Sequence, residues 1–578
     1  MFTELMDVEL ALTIDGEVFK FPGGQVKNLS IDLAGWGYEA ELDFWVSYEE
    51  KLAAASRRHN DKLYELFCQH GLIEVALKLV ATQPPPGDSP PEPLFLTGLV
   101  THKRLFEESY PDVEGQPVLY RRYWIRFLDP MQVLWRQHWP STLYTQKSMQ
   151  QVLDEHKGRH LRLSYAMAAA AQTRPLIFLG LGAPGNEASL YDLLVWWLDE
   201  HNGELVYESS TNEYKLRDAK DAVANAGLLD PLDVESLEVV IGECPRYGLS
   251  VMNARASLPA GEQGKGGPSG GGVGGDGQSR VEARQIDSDR TDVGQVSAVA
   301  GLRRDIVVRE PVPARFQALV ARRQERLRRL VNPAPELEVS FARWPTITLR
   351  PGSWVSFERE GWSSQAWQSG RAYRVRSMRV RAAATVQSHH EGLYESSAGY
   401  MMEVGARLQA EGCPVVELPP YVPPRYPVRV EGRVVSEQGQ QGEETYQFYQ
   451  DPETSQDQCK VRIERWEQVV PVEFHPNTMP GHFYFPYYRD QRVLVALEFD
   501  AAWIERFLDW REGAQLPLEG QGNHLVLGKT PASRTSVSHY YADNKPILKV
   551  LRTLDKDTVL IQLEEGKLTL QTREEESS

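Results

Sequence analysis

The stretch with the clearest chemical promise is "PLIFLGLGAPGNEASLYDLLVWWLDEHNG", Pro175 to Gly203. An apolar run, Leu176 to Leu179, leads into Gly180-Leu181-Gly182-Ala183-Pro184-Gly185, and a helix-like segment follows. Glu208 stands further on, where the acid that binds a ribose hydroxyl would be wanted. A strand, a glycine turn and a helix in that order could cradle a dinucleotide pyrophosphate. Three features oppose it. "ELVYE" is followed at once by Ser-Ser-Thr-Asn and "EYKLRD", so Glu204 to Asp218 reads as a hairpin, where the fingerprint needs a parallel strand reached by a crossover. Pro184 has no N–H to offer a phosphate. The helix also accounts for itself: Ser189 and Asp192 have capping-box spacing. Leu190, Leu193, Leu194, Trp197 and Leu198 make one apolar face, and Asn202-Gly203 stop it. No cofactor is expected.

The other chemical candidates are weaker. His389 and His390 are adjacent, so on a strand they point to opposite faces and converge poorly on one ion. His475 and His482 flank Pro476 and Pro480 and read as loop, so no metal is expected. "PASRTSVSHYYAD" places Ser, His and Asp close in sequence, but nucleophilic triads usually draw on distant segments. Glu505 and Asp509 fall on a predicted insertion helix, "AAWIERFLDW", with no room for the paired carboxylates of a wall hydrolase. From Gly261 to Gly277, ten of seventeen residues are glycine. This stretch contains "GKG" but not the GK[ST] ending of a phosphate loop. Four cysteines, Cys68, Cys244, Cys413 and Cys459, form no CxxC pair and read as reduced thiols. The chain is therefore expected to have no catalytic residues and not to be an enzyme.

The composition sets the frame for these elements. At roughly 100–200 residues per domain, 578 residues suggest about three to five domains. Acidic residues outnumber basic ones, 80 to 63, for a net charge of −17, which disfavours a general nucleic-acid binder. The N-terminus lacks a basic start followed by an apolar core, so no signal peptide is expected. No run approaches the ~18 apolar residues of a membrane span, so no stable membrane insertion is expected.

Along the chain, period-two runs such as "VELALTID", "EAELDFWVS" and "LIEVALKLVAT" predict strands. Glu49 to Gly71, Ser148 to Gly158 and Val312 to Val331 predict helices. The last of these carries Arg315, Arg322, Arg323, Arg326, Arg328 and Arg329 opposite an apolar stripe of Phe316, Leu319, Val320, Leu327 and Leu330. It reads as a domain helix with a solvated basic face, the alternative being a helix for anionic membranes or nucleic acid. The glycine-rich segment, about 256–285, cannot bury enough surface to offset its ordering entropy and predicts a disordered insertion. After a Pro-rich hinge, Val416 to Pro427, short strands predict a small closed barrel.

The order of these pieces resembles the VgrG family, the spike proteins of contractile injection systems, related to phage-tail hubs and spikes. "LFLTGLVTHKRL" looks like the hub strand with a Gly-hydrophobic-hydrophobic motif. "YWIRFLDPMQVLWRQHWPSTLYTQKSMQQVLDEH" looks like the block in which Pro130, Leu134, Ser148 and Val152 stand at matching places. "SLYDLLVWWLDEHNGELVYE" is similar to the family's helix and strand that follow. Leu349, Pro351 and Gly352 match "L.PG", and "VEGRVVS" to "VLVALEF" and "LVLGKT" resemble the OB-like barrel. The second acidic turn of that barrel is replaced by an insertion, Ala501 to Gly522, and the stalk is short.

The resemblance implies a mainly β fold with a few helices (α+β). Residues 1–423 would be a hub of two tube-type β-barrel subdomains, 424–530 an OB-like barrel with a helical insertion at 501–522, and 531–578 a truncated β-stalk. It implies a structural homotrimer that adapts a hexameric inner-tube (Hcp-like) ring to a puncturing tip. Its partners would be a PAAR-type tip protein, baseplate and wedge proteins, and effector cargo. It would be made in a bacterial cytoplasm and expelled with the machine, whether of a type VI system, a free particle or a phage tail. The stalk strands "TVLIQL" and "KLTLQT" alternate, with Val559, Ile561, Leu563, Leu568 and Leu570 on one face, the expected trimer core. Thr569, Gln571 and Thr572 are the expected tip-cap docking residues. The alternatives are an envelope-degrading enzyme and a barrel that grips carbohydrate or oligonucleotide.

Overall fold

The computed structural model describes residues 1–48, 54–82, 92–111, 117–218, 220–223, 225–243, 246–253, 282–286, 302–308, 310, 313–330, 335–347, 349–357, 371–388, 391–438, 447–450, 457–473, 487, 489–508, 523–530 and 533–574. Most of them are strand, with a few short helices, and they divide into two units.

In the first unit a 13-stranded sheet contains a closed antiparallel ring of eight strands. The ring runs Ala372–Ala384, Val26–Ala34, Gly37–Tyr48, Pro117–Leu128, Leu94–Pro111, Ile73–Ala81, Phe2–Ile14, Ser397–Ala410 and back to the first. Period-two alternation drives it: Val8, Leu10, Leu12 and Ile14 are buried while their neighbours are not. The sheet continues beyond the ring through the long strands Ala372–Ala384 and Ser397–Ala410. Below a bulge between Val375 and Ser377 the first of these pairs inside the ring; above it, Ala372 to Arg374 pair with Trp354–Phe357. Ser397–Ala410 likewise goes on to pair with Glu336–Phe341.

The basic helix, Pro313–Arg329, packs Phe316 and Leu327 on Leu249 and Val251 of a three-stranded sheet. Its basic face is not simply solvated. Arg323 Nη2 and Arg326 Nη1 each reach Glu200 at 3.1 Å, and Arg326 also pairs with Asp199. The predicted disordered insertion is corrected at its end: Glu282–Ile286 is a strand of that same sheet, pairing with Gly248–Asn253. The rest of the glycine-rich segment, and the proline-rich stretch at 83–91, lie outside the described residues.

The second unit comprises 141–147, 173–185 and 425–578. Two short segments that the sequence reading assigned to the hub therefore belong here. Leu143, Leu176 and Phe178 join the core of a closed five-stranded barrel, with Val461, Val470, Val495 and Leu497. The barrel runs Val428–Val435, Arg492–Leu497, Ala502–Phe507, Gln468–Glu473, Asp457–Ile463 and back to the first strand.

Two expectations are corrected here. Residues 501–508 do not open a helical insertion. Ala502–Phe507 is a barrel strand antiparallel to Arg492–Leu497, because Ala502 and Ile504, two apart, both enter the core. "HLVLGKT" is not a barrel strand. Asn523–Thr530 is the first strand of a separate five-stranded sheet, so the stalk begins before 531.

Candidate functional site

The dinucleotide reading fails on topology. Glu204–Glu208 and Glu213–Arg217 form an antiparallel hairpin with Tyr207 opposite Tyr214. The helix Leu190–Glu200 has the expected capping box, with the Asp192 N–H donating to Ser189 Oγ at 3.2 Å and the Ser189 N–H donating back to Asp192 Oδ2 at 2.9 Å. Its apolar face is fully buried. Among the other candidates, His389, His390, His475, His482 and Asp509 lie outside the described residues. Glu505 is exposed on the barrel strand and accepts a hydrogen bond from Arg429 Nε at 2.6 Å, which holds its carboxyl below the usual range. Ser538 and His539 are consecutive on the strand Ser533–Ala542 and face opposite sides. Ser538 Oγ donates to the Lys549 carbonyl at 3.4 Å, and Asp543 sits in the following turn. No triad forms. Among the described residues no cluster of three or more His, Cys, Asp or Glu could hold a metal.

Sequence reasoning missed Asp129, which is fully buried. It accepts from Tyr214 OH at 2.5 Å, Gln132 Nε2 at 2.6 Å and the Tyr38 N–H at 3.2 Å. Burial raises its pKa, and those hydrogen bonds offset part of the rise. The only sequence signal was an Asp before Pro130, the ordinary N-cap of the helix Pro130–Trp135. It joins a helix, a hairpin and a hub strand, and its donors are all internal. We assign it a structural role.

The terminal sheet carries a row of exposed apolar side chains. Its strands are Asn523–Thr530, Ser533–Ala542, Lys545–Leu554, Asp557–Glu564 and Lys567–Arg573, each antiparallel to the next. The last three connections are two-residue turns with Asp543, Asn544, Asp555 and Gly566 in the left-handed region, as tight hairpins require. The strands shorten along the chain, from 10 residues at Lys545–Leu554 to 8 and then 7.

The register of these turns fixes the faces. Leu548 lies opposite Leu563, Val550 opposite Ile561, Ile561 opposite Leu570 and Leu563 opposite Leu568. The expected apolar row therefore forms, with Val559 at its margin between Arg552 and Thr572. Within one chain the row is the open face: Val559 and Ile561 are 42% exposed, Leu563 45%, Leu568 59% and Leu570 69%. Thr558, Leu560 and Gln562 on the other face are partly buried. Apolar side chains are thus left more exposed than the polar ones between them, the reverse of a sheet built to stay single. The three proposed tip residues do not converge on one face. Thr569 and Gln571 share the polar face of the last strand, while Thr572 lies on the apolar side. That strand pairs on one side only among the described residues, so its outer N–H and C=O groups are open.

Solved structures share this fold. One chain of the lidded Francisella PdpA–VgrG complex superposes with a TM-score of 0.67 at 12% identity, covering 99% of this chain and 80% of that one. A chain of a lidless PdpA–VgrG complex gives 0.66 at 12% identity, with 99% of both chains covered. A chain of the half-lidded Francisella complex gives 0.66 at 11% identity, covering 99% and 88%. No family model matches the sequence, and no curated protein matches it. The shared property is a mainly β fold.

Proposed function

We propose that the chain is a structural spike subunit of a contractile injection system that works as a homotrimer and catalyses no reaction. The observation that carries this reading is the apolar row of the terminal sheet, left open by its own chain. Burying apolar area stabilises by roughly 25 cal/mol per Å², so each half-exposed Leu or Ile of the row would contribute on the order of 1 kcal/mol when covered. Three copies around one axis cover three such rows at once. The likeness to PdpA–VgrG chains over 99% of this chain supports a role in a similar complex.

On this reading the eight-stranded ring and its shared long strands form the adaptor to an Hcp-like tube ring. The five-stranded barrel is of the OB kind and links that adaptor to the stalk. The open edge of Lys567–Arg573 offers β-augmentation to a PAAR-type cap through its backbone, with Thr569, Gln571 and Thr572 alongside. Baseplate proteins and effectors would join the same assembly, which is expelled from the bacterium. Among the described residues no helix is long and apolar enough to cross a membrane, and the spike reading needs none.

The test is the mass of the full chain in solution. We expect a trimer at micromolar concentration, and Ile561→Asp with Leu570→Asp should yield folded monomers, because six buried carboxylates, two from each chain, cannot crowd around one axis. A wild-type monomer, or a trimer that the double variant leaves intact, would overturn the reading.

A further inference from the structure

The first unit contains a cavity of about 370 Å³, within the roughly 300–1,000 Å³ of small-molecule sites. Its wall carries four cations, Lys220, Arg328, Arg329 and Arg374, against two acids, Asp221 and Glu411. Asp221 is already paired with Arg217.

The acids that serve these arginines are shared. Glu204 accepts from both Arg374 Nη1, at 2.7 Å, and Arg217 Nη2, at 3.0 Å. Glu325 accepts from Arg328 at 2.8 Å and from Arg329 Nε at 2.9 Å. Donors are left over. Arg374 Nε, Arg329 Nη1 and Trp354 Nε1 are shielded from water and have no acceptor among the described residues. The Arg374 residue is only 8% exposed. Arg329, its side chain 14% exposed, is held through Nε by Glu325 and through Nη2 by the Asp218 carbonyl at 2.8 Å, and it lines the cavity together with Trp354 and Arg374.

Lys220 also lines the wall. Its ammonium donates to the Cys413 carbonyl at 3.0 Å and to Gln409 and the Val415 carbonyl. Burial, with Arg374 and Arg376 close by, pushes its pKa down to about 8. Trp354, Pro414 and Val416 supply the apolar part of the wall. Charge-assisted donors around a half-open cavity are an arrangement that recognises an oxyanion.

We propose that this cavity binds a small molecule through a carboxylate or phosphate group, held by the Arg329 and Arg374 guanidiniums and the Trp354 indole N–H. The site lies within one unit of one subunit and stands whether or not the chain trimerises.

The probes are inorganic phosphate and sodium hexanoate, titrated separately into the full chain by calorimetry at low salt. At least one should bind saturably at one site per chain, and which one binds separates the two sources of the oxyanion. Arg329→Gln should weaken that binding at least about tenfold, the effect of removing a donor to a charged group. Trp354→Phe keeps the ring, removes one donor and should weaken it severalfold, with an unchanged thermal midpoint. Absence of binding by both probes, or binding that a folded Trp354→Phe leaves unchanged, overturns the site.

Discussion

Gly98 lies in the hub strand Leu94–Pro111, and a Cβ there would meet the Leu128 carbonyl oxygen at 2.3 Å and the Tyr38 hydroxyl at 2.2 Å. The first of these is backbone, so the neighbour cannot swing aside. Gly98→Ala should destabilise the hub by about 2 kcal/mol or more, read as a lower thermal midpoint. The glycine of "LFLTGLVTHKRL" was legible in the sequence as part of a pattern, but its cause was not, because the Leu128 carbonyl arrives from the partner strand. A second residue-scale consequence concerns His138 and His156, whose Nε2 and Nδ1 stand 2.9 Å apart. Burial lowers the pKa of both, and His138 lowers that of His156 further. A folded pKa below the unfolded one contributes stability above the unfolded value, lost as pH falls toward the folded one. Denaturant midpoints should therefore drop as pH falls below about 6.5. His138→Asn with His156→Gln should flatten that slope.

At the scale of elements, local signals were read well where the partner groups are near in sequence. The capping serine Ser189, the hairpin at Glu204–Arg217 and the amphipathic helix Pro313–Arg329 all fall where residue types placed them. What escaped was set by distant groups. "AAWIERFLDW" has helical spacing in isolation, yet Arg492–Leu497 supplies hydrogen bonds and a core that favour strand. The segments 141–147 and 173–185 join the barrel unit because Leu143, Leu176 and Phe178 find apolar partners hundreds of residues later. Ile504→Asp checks the barrel strand directly. Ile504 is 3% exposed, so an aspartate there should cost several kcal/mol and unfold the barrel. On an exposed insertion helix it would be nearly silent. The arginine cluster gives a milder prediction. Arg326→Ala removes half-buried pairs with Asp199 and Glu200 and should cost about 1 kcal/mol, less at high salt.

At the scale of the whole molecule, the fold class was legible because alternation runs through almost every segment. The open apolar row of the terminal sheet was legible too, since two-residue turns turn a period-two pattern into a defined face. The tip was less so: Thr572 and Gln571 are neighbours in sequence yet lie on opposite faces of the last strand. Net charge sets a further expectation. A chain carrying −17 repels its copies, so association should tighten between about 20 and 200 mM salt, measurable as a lower trimer dissociation constant.

The shortening of the terminal strands carries a mechanical consequence. At roughly 3.3 Å per residue, a ribbon narrowing from 10 residues to 7 loses about a third of its breadth, and a shaft built from such ribbons about half its cross-section. On the proposed spike reading, the same thrust delivered over half the area would double the pressure at the narrow end. On the same reading each hydrogen bond along the final rung would carry a larger share of the load, so a shaft of this kind would begin to shear there.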